Sequence, residues 1–294
     1  MPRHTLLRGL VLMSRPLILP SALLAFGLGA TMGYRATGAL PWGHALPALA
    51  LTLLANLAAH FADEYADTDT DALARHTGVS GGSGALAAGL VAPATALAAA
   101  ALTAAIAGAV GAWATATAAL PIICLWFLGA GLLGGWAYSM PPLALERRGL
   151  GELLNALLGG MLMPLMGYAA VAGPPPPAVY LALLPVVAIV LANLVDVHWA
   201  DRVADAAVGK YTLVVLLGPR ARWLQRLWLV LAYGLPPLLA AAGVLPWPVA
   251  WATLATLPVG LWAAWRLGRD ALPLAGPAAM VALMLAQSVA YALA

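Results

Sequence analysis

The chain has 294 residues, 63% of them hydrophobic and 9% charged, whereas a soluble domain carries about a quarter of its residues charged. With a mean hydropathy of +0.92, this excludes a water-soluble globule. The net charge of +3 rests on basic residues too sparse and scattered to follow a nucleic-acid backbone.

Before the first long apolar segment, Arg3, Arg8 and Arg15 flank a short apolar stretch with no small-residue cleavage site. This reads as an amphipathic, cytoplasmic lead-in rather than a cleavable signal. Apolar runs of about 20 residues cross a bilayer as helices. Runs bounded by Pro, Gly or charge predict nine spans, near 16–34, 44–65, 93–113, 118–138, 151–171, 179–199, 223–244, 246–267 and 274–294. Many are rich in Ala and Gly, as closely packed membrane helices are. The predicted fold is therefore an all-α integral membrane protein forming one domain, 1–294. Cys124 is the one cysteine and lies in an apolar run, so no disulfide framework or cysteine metal site is available, and packing is its expected role.

The basic residues fall before span 1 or after spans 2, 4, 6 and 8, with Arg35 the exception. The positive-inside rule then puts the N-terminus in the cytoplasm and the C-terminus outside. Every Asp and Glu falls on the same predicted side, so the polar chemistry is concentrated at one membrane face.

The end of span 2 carries five acids in nine residues, Asp63, Glu64, Asp67, Asp69 and Asp71, with Asn56 and His60 upstream. Asp63 or Glu64, Asp67 and Asp71 recur at helical spacing on one face, where like charges repel. Span 6 ends in a second row, in which Asn193, Val197, Asp201 and Asp205 share a face. The Asp-x-x-x-Asp pair on spans four apart hints at duplication of a four-helix unit. Two carboxylate rows at one face suit Mg²⁺, which takes oxygen ligands and completes its shell with water and substrate phosphate. The alternative is solvated loop ends paired with Arg75 and Arg202.

Between spans 4 and 5, Tyr138-Ser139-x-Pro141-Pro142 stops a helix. Arg147 and Arg148 follow, suited to phosphate oxygens or to a plain topological anchor. The turn from Arg75 through Ser80-Gly81-Gly82-Ser83-Gly84 offers backbone donors to an anion, or is simply a flexible loop.

Together these elements resemble the UbiA-type superfamily of intramembrane prenyltransferases. Its motifs appear here as Asp63-Glu64-x-x-Asp67-x-x-x-Asp71, as Tyr138-Ser139-x-Pro141-Pro142-x-x-Leu145, and as Asp201-x-x-x-Asp205-x-x-x-Gly209-Lys210-x-Thr212-Leu213. The resemblance implies about nine helices around a central cavity, and Mg²⁺-dependent transfer of a polyprenyl group from its diphosphate to a lipophilic acceptor. The Glu-Tyr-x-Asp form of the first motif and the Ser-Gly-Gly-Ser-Gly loop look most like the branch acting on 1,4-dihydroxy-2-naphthoate in menaquinone synthesis. Two departures stand out: Asp63-Glu64 where Asn-Asp is usual, and Val197-His198 where Asn-Asp or Asn-Glu is usual.

On this resemblance Asp63, Glu64, Asp67 and Asp71 hold one Mg²⁺, and Asp201 and Asp205 a second. Arg75, Arg147, Arg148, Lys210 and Ser139 are expected around the diphosphate, with the Tyr138 ring near the allylic cation. Trp199 is expected in the interfacial belt. His198 is either a base for the acceptor hydroxyl or a packed residue. The rivals are a cation transporter, which would place ionisable residues near mid-membrane and on both sides, and an inactive lipid-binding member of the family.

Overall fold

In hydrocarbon a peptide group finds no water, so each apolar segment satisfies its backbone internally by becoming a helix. The computed structural model describes residues 3–76, 80–269 and 272–294, and is helical throughout apart from loops and one isolated bridge between Arg148 and Tyr211. The first two residues, the middle of the Gly/Ser turn (77–79) and the turn at 270–271 lie outside these ranges.

In chain order the helices are α1 Arg3–Met13, α2 Leu19–Thr37, α3 Trp42–Ala66, the short α4 Thr68–Asp71, α5 Pro93–Ala116 and α6 Ile122–Ser139. There follow α7 Gly151–Ala172, α8 Pro177–Ala207, α9 Leu213–Ala241, α10 Trp247–Ala255, α11 Leu257–Arg266 and α12 Ala275–Leu293. Among the described residues seven of these, α3, α5 to α9 and α12, are long and apolar enough to cross a membrane. The predicted span at 16–34 corresponds to α2. The predicted span at 246–267 is interrupted at Thr256, where Pro258 in the first turn of α11 brings no N–H to continue the ladder, as α8 is at Leu183 ahead of Pro185.

Six helices, α2, α3, α6, α7, α8 and α12, surround a shared cavity, α2 and α7 meeting each other directly at one end of it, with α5, α9 and the α10–α11 pair packed outside. The closest approach among the six is between α2 and α7. A Cβ on Gly29 would lie 1.7 Å from the Pro164 carbonyl oxygen, and one on Gly167 would lie 2.1 Å from that of Phe26. Only glycine lets two backbones meet this way, which is how small residues hold membrane helices together. Within α7 the turn Leu158–Leu162 is π-helical, a local widening that recurs at functional sites. Helix α8 runs about two turns beyond its predicted end, to Ala207, so Asp201 and Asp205 are on a helix rather than in a loop. Cys124 is fully buried in the core shared by α3, α5 and α6.

Candidate active site

The cavity between these helices measures about 540 Å³. Its floor is apolar, with Leu24, Phe127, Met163 and Met284 among the lining side chains, while its mouth carries the acids. Asn56, His60, Asp63 and Asp67 reach it from α3 and Asp71 from α4; Asn193, Val197, Asp201 and Asp205 reach it from α8. These are the two faces expected from the helical spacing. Asp196, off that face, instead accepts the Gly276 N–H at 2.7 Å and ties α8 to the first turn of α12.

The first row, Asp71 apart, is matched by cations of the protein. Arg15 puts Nη2 2.8 Å from both Asp63 Oδ2 and Glu64 Oε1. Ser139 donates to Asp63 Oδ1 at 3.0 Å. Lys210 pairs with Asp67 and lies 2.7 Å from Glu146 Oε2. Arg147 binds Asp69 at 2.7 Å and the Ala66 carbonyl at 2.8 Å. The parallel bridge between Arg148 and Tyr211, with the Tyr211 N–H on the Arg147 carbonyl at 3.3 Å, sets Glu146 and Lys210 side by side.

The charges respond to this crowding. Burial, then the Asp67 charge, pushes the Asp71 carboxyl up to about 8. Burial, then Asp67, also holds Glu146 well above the usual carboxylate range. Burial alone would lower Lys210, but Asp67 and Glu146 reverse it and keep the ammonium charged. The hydrogen bond from Arg147 holds Asp69 below its ordinary value.

Not every predicted residue faces the cavity. Glu64 turns away from it, with Oε1 taken by Arg15 and the Ser83 N–H, the latter at 2.9 Å, and Oε2 by the Ser83 hydroxyl. Its place among the acids is filled by Glu146, a lone acid beside Arg147-Arg148 with no helical spacing to the rows that would mark it in the sequence. Ser139 lies behind Asp63 rather than on the wall. Arg148 is exposed and donates to the Pro142 carbonyl at 2.9 Å, and Arg75 is exposed on the loop. Arg202 stacks over Trp199 at 4.5 Å from the ring centroid instead of pairing with the second row. Among the described residues no Arg or Lys forms an ion pair with Asp201 or Asp205. The picture of loop-end acids paired with Arg75 and Arg202 is therefore not the one observed. Tyr138 and Lys210 are on the cavity wall. Of the Gly/Ser turn, Gly81 donates its N–H to Asp201 Oδ2 at 3.1 Å, and Gly82 packs against the Asp71 carboxylate; Thr77, Gly78 and Val79 lie outside the described residues.

One oxygen each from Asp63, Asp67 and Glu146 lies within 4.8 Å of the others. Asp67 Oδ1 and Glu146 Oε1 are buried and accept no hydrogen bond among the described residues, Arg147 standing 3.6 Å from the former. Buried oxygens with lone pairs to spare, in a hard all-oxygen set, fit a small divalent cation.

The UbiA prenyltransferase family model matches residues 22–288 of the chain. A UbiA homolog from Archaeoglobus fulgidus, solved with GPP and Mg²⁺, is similar in structure with a TM-score of 0.71 and 17% identity, covering 97% of this chain and 100% of that one. A UbiA homolog from Aeropyrum pernix K1, solved in its apo form, gives 0.68 and 17%, covering 92% and 97%. A structure described for digeranylgeranylglyceryl phosphate synthase in membranes gives 0.68 and 13%, covering 98% and 99%. No curated protein matches the chain.

Proposed function

Since the chain belongs to the UbiA prenyltransferase family, we propose that it transfers a polyprenyl group from a polyprenyl diphosphate, with Mg²⁺, to an aromatic acceptor in the membrane, and that this acceptor is 1,4-dihydroxy-2-naphthoate. The observation that carries the reading is the meeting of Asp63, Asp67 and Asp71 with Asp201 and Asp205 at the mouth of one cavity, above an apolar floor. The relatives solved with GPP or DMAPP together with Mg²⁺ support the donor class and the metal. The Ser80–Gly84 turn and the Glu-Tyr-x-Asp motif support the naphthoate branch.

Asp63, Asp67, Asp71 and Glu146 on one side, and Asp201 and Asp205 on the other, hold the cations. Mg²⁺, when bound, supplies positive charge to the diphosphate oxygens as the allylic C–O bond loosens. Lys210, kept charged by its neighbours, turns its ammonium to the same leaving group. Tyr138 offers a ring face to the developing allylic cation. The apolar floor takes the prenyl tail and keeps water from the cation. The mouth of the cavity and the N-terminus face the cytoplasm in this reading, and the C-terminus lies outside. A reporter fused after Ala294 reads as non-cytoplasmic; a cytoplasmic signal would overturn that topology.

The test is a purified-protein assay of several prenyl diphosphates against 1,4-dihydroxy-2-naphthoate, 4-hydroxybenzoate and a glyceryl phosphate. Prenylated naphthoate is the expected product, abolished by excess EDTA. Turnover with only one of the other acceptors would reassign the branch, and turnover persisting in EDTA would remove the metal.

A further inference from the structure

Next to the second aspartate row, the cavity wall carries polar groups that binding a diphosphate does not use. Glu152, in the first turn of α7, is fully buried. Its Oε1 accepts the Leu213 N–H at 2.7 Å and lies 3.0 Å from His198 Nδ1. An imidazole whose Nδ1–H is donated to a carboxylate keeps its Nε2 lone pair free, and the carboxylate stabilises the imidazolium once Nε2 takes a proton. His198 lies on the cavity-lining face of α8, as does Asn193, just over one turn earlier. The Asn193 side chain is nine-tenths buried, and its Oδ1 accepts no hydrogen bond among the described residues.

An unanswered amide oxygen and an imidazole lone pair on one wall are both acceptors, and buried acceptors without donors are costly. An ionised diphosphate brings no donor to them. A hydroxylated acceptor substrate does.

We propose that His198, oriented by Glu152, is the base that takes the hydroxyl proton of a hydroxyaromatic acceptor, and that Asn193 receives a hydrogen bond from the same substrate. This deepens the prenyl-transfer reading and rests on it. The acceptor hydroxyl gives its proton to Nε2, leaving an aryloxide and an imidazolium paired with Glu152. The allylic C–O bond breaks with its electron pair going to the diphosphate, while a ring carbon of the aryloxide supplies the pair for the new C–C bond. Where that carbon bears hydrogen it sheds a proton, and where it bears the carboxylate it sheds CO₂; in either case the ring oxygen regains a proton from His198. Each turnover therefore releases one diphosphate together with a proton or CO₂. Glu152 is a positioning residue, acting through the ring it holds.

The experiment uses the full chain in detergent with Mg²⁺, geranyl diphosphate and 1,4-dihydroxy-2-naphthoate. Donor binding is followed by calorimetry and transfer by product formation across pH. The charged groups around His198 are Glu152 on α7, Asp201 and Asp205 on its own helix, Lys210 in the following loop, and Asp67, Asp71 and Glu146 across the cavity. Glu152, Asp201 and Asp205 feel the His198 charge directly, so the pH profile is read together with the substrate-acidity test below, which those groups do not answer.

In the wild type, transfer falls as acid protonates Nε2. His198→Gln is expected to bind geranyl diphosphate as the wild type does, to transfer about a hundredfold more slowly, and to lose that acid limb. A ring-fluorinated naphthoate with a more acidic hydroxyl narrows the gap, which a purely structural role would not do. Glu152→Gln is expected to keep donor affinity and to displace the acid limb, and it is the second variant should His198→Gln not fold. Wild-type turnover or an unchanged acid limb in His198→Gln overturns the proposal, as does an equal loss of donor binding. A wild-type protein that binds geranyl diphosphate but prenylates no acceptor defeats the underlying reading instead.

Discussion

The two aspartate rows look alike in sequence and differ in the fold. In the first, Asp63, Asp67 and Asp69 are answered by Arg15, Lys210 and Arg147, and Asp71 alone has no Arg or Lys ion pair among the described residues. The second, Asp201 and Asp205, has no Arg or Lys ion-pair partner among the described residues and is met by one backbone N–H, from Gly81. One row is thus part of the folded architecture as well as the site, while the other keeps its charge for whatever enters. The same substitution should therefore have different consequences in the two places.

The largest expected effect is on turnover, and both rows share it. Asp67→Asn and Asp201→Asn are each expected to lower transfer by at least about a hundredfold in a product-formation assay. They should part on stability. Asp67→Asn takes away one of the two carboxylates that hold buried Lys210, whereas in Asp201→Asn the new side-chain carbonyl can still accept from the Gly81 N–H. A thermal scan showing equal melting for both would erase the distinction.

Next comes Lys210→Met. Removing one partner of a buried charge cluster costs about 3–5 kcal/mol, here by leaving Asp67 and Glu146 uncompensated. The variant is expected to melt well below wild type without Mg²⁺ and to recover much of the loss when Mg²⁺ is added. A melting point indifferent to Mg²⁺ would argue that no cation takes the lysine's place.

A smaller effect concerns pH. The Asp71 carboxyl is raised to about 8, so below that value it carries a proton that an incoming cation must displace. Mg²⁺ affinity is expected to climb as pH rises toward 8 and to level off above it, with a shallower slope in Asp71→Asn. Calorimetry in two buffers of different ionisation enthalpy would count the released proton. The smallest effect belongs to the arginine pair: Arg148→Ala, at an exposed position, should change transfer by less than about threefold. Arg147→Ala, which strips Asp69 and the end of α3 of their partner, should cost more.

Much of this was legible in the sequence, and for a physical reason. Acids inside apolar helices are too costly to be incidental, so Asp67, Asp71, Asp201 and Asp205 announce themselves, and their spacing places them on faces that the fold does turn to one cavity. What was not legible lies in pairings between distant segments. Arg15 resembles any arginine ahead of a first span, yet it neutralises Asp63 and Glu64 some 49 residues away. Glu146 and Glu152 belong to neither aspartate row, and nothing local says that Lys210 and His198 will stand against them. Glu64 shows the converse: it sits within the motif by spacing, but one position round the helix is enough to turn it to Arg15 and Ser83. The break at Thr256 was hidden because a single proline within a long apolar run leaves hydropathy unchanged.

The turn at Gly81, Gly82 and Ser83 touches Asp201, Asp71 and Glu64 in succession. A Cβ at Gly82, where φ is +66°, would fall 1.8 Å from an Asp71 oxygen. This short stretch of backbone therefore lies between α8 and the acid-bearing ends of α3 and α4, the two sides of the cavity mouth. A methyl group added at Gly82 would press on the Asp71 carboxylate without altering a single charge, so the spacing of the two aspartate rows is expected to answer to a residue that has no side chain at all.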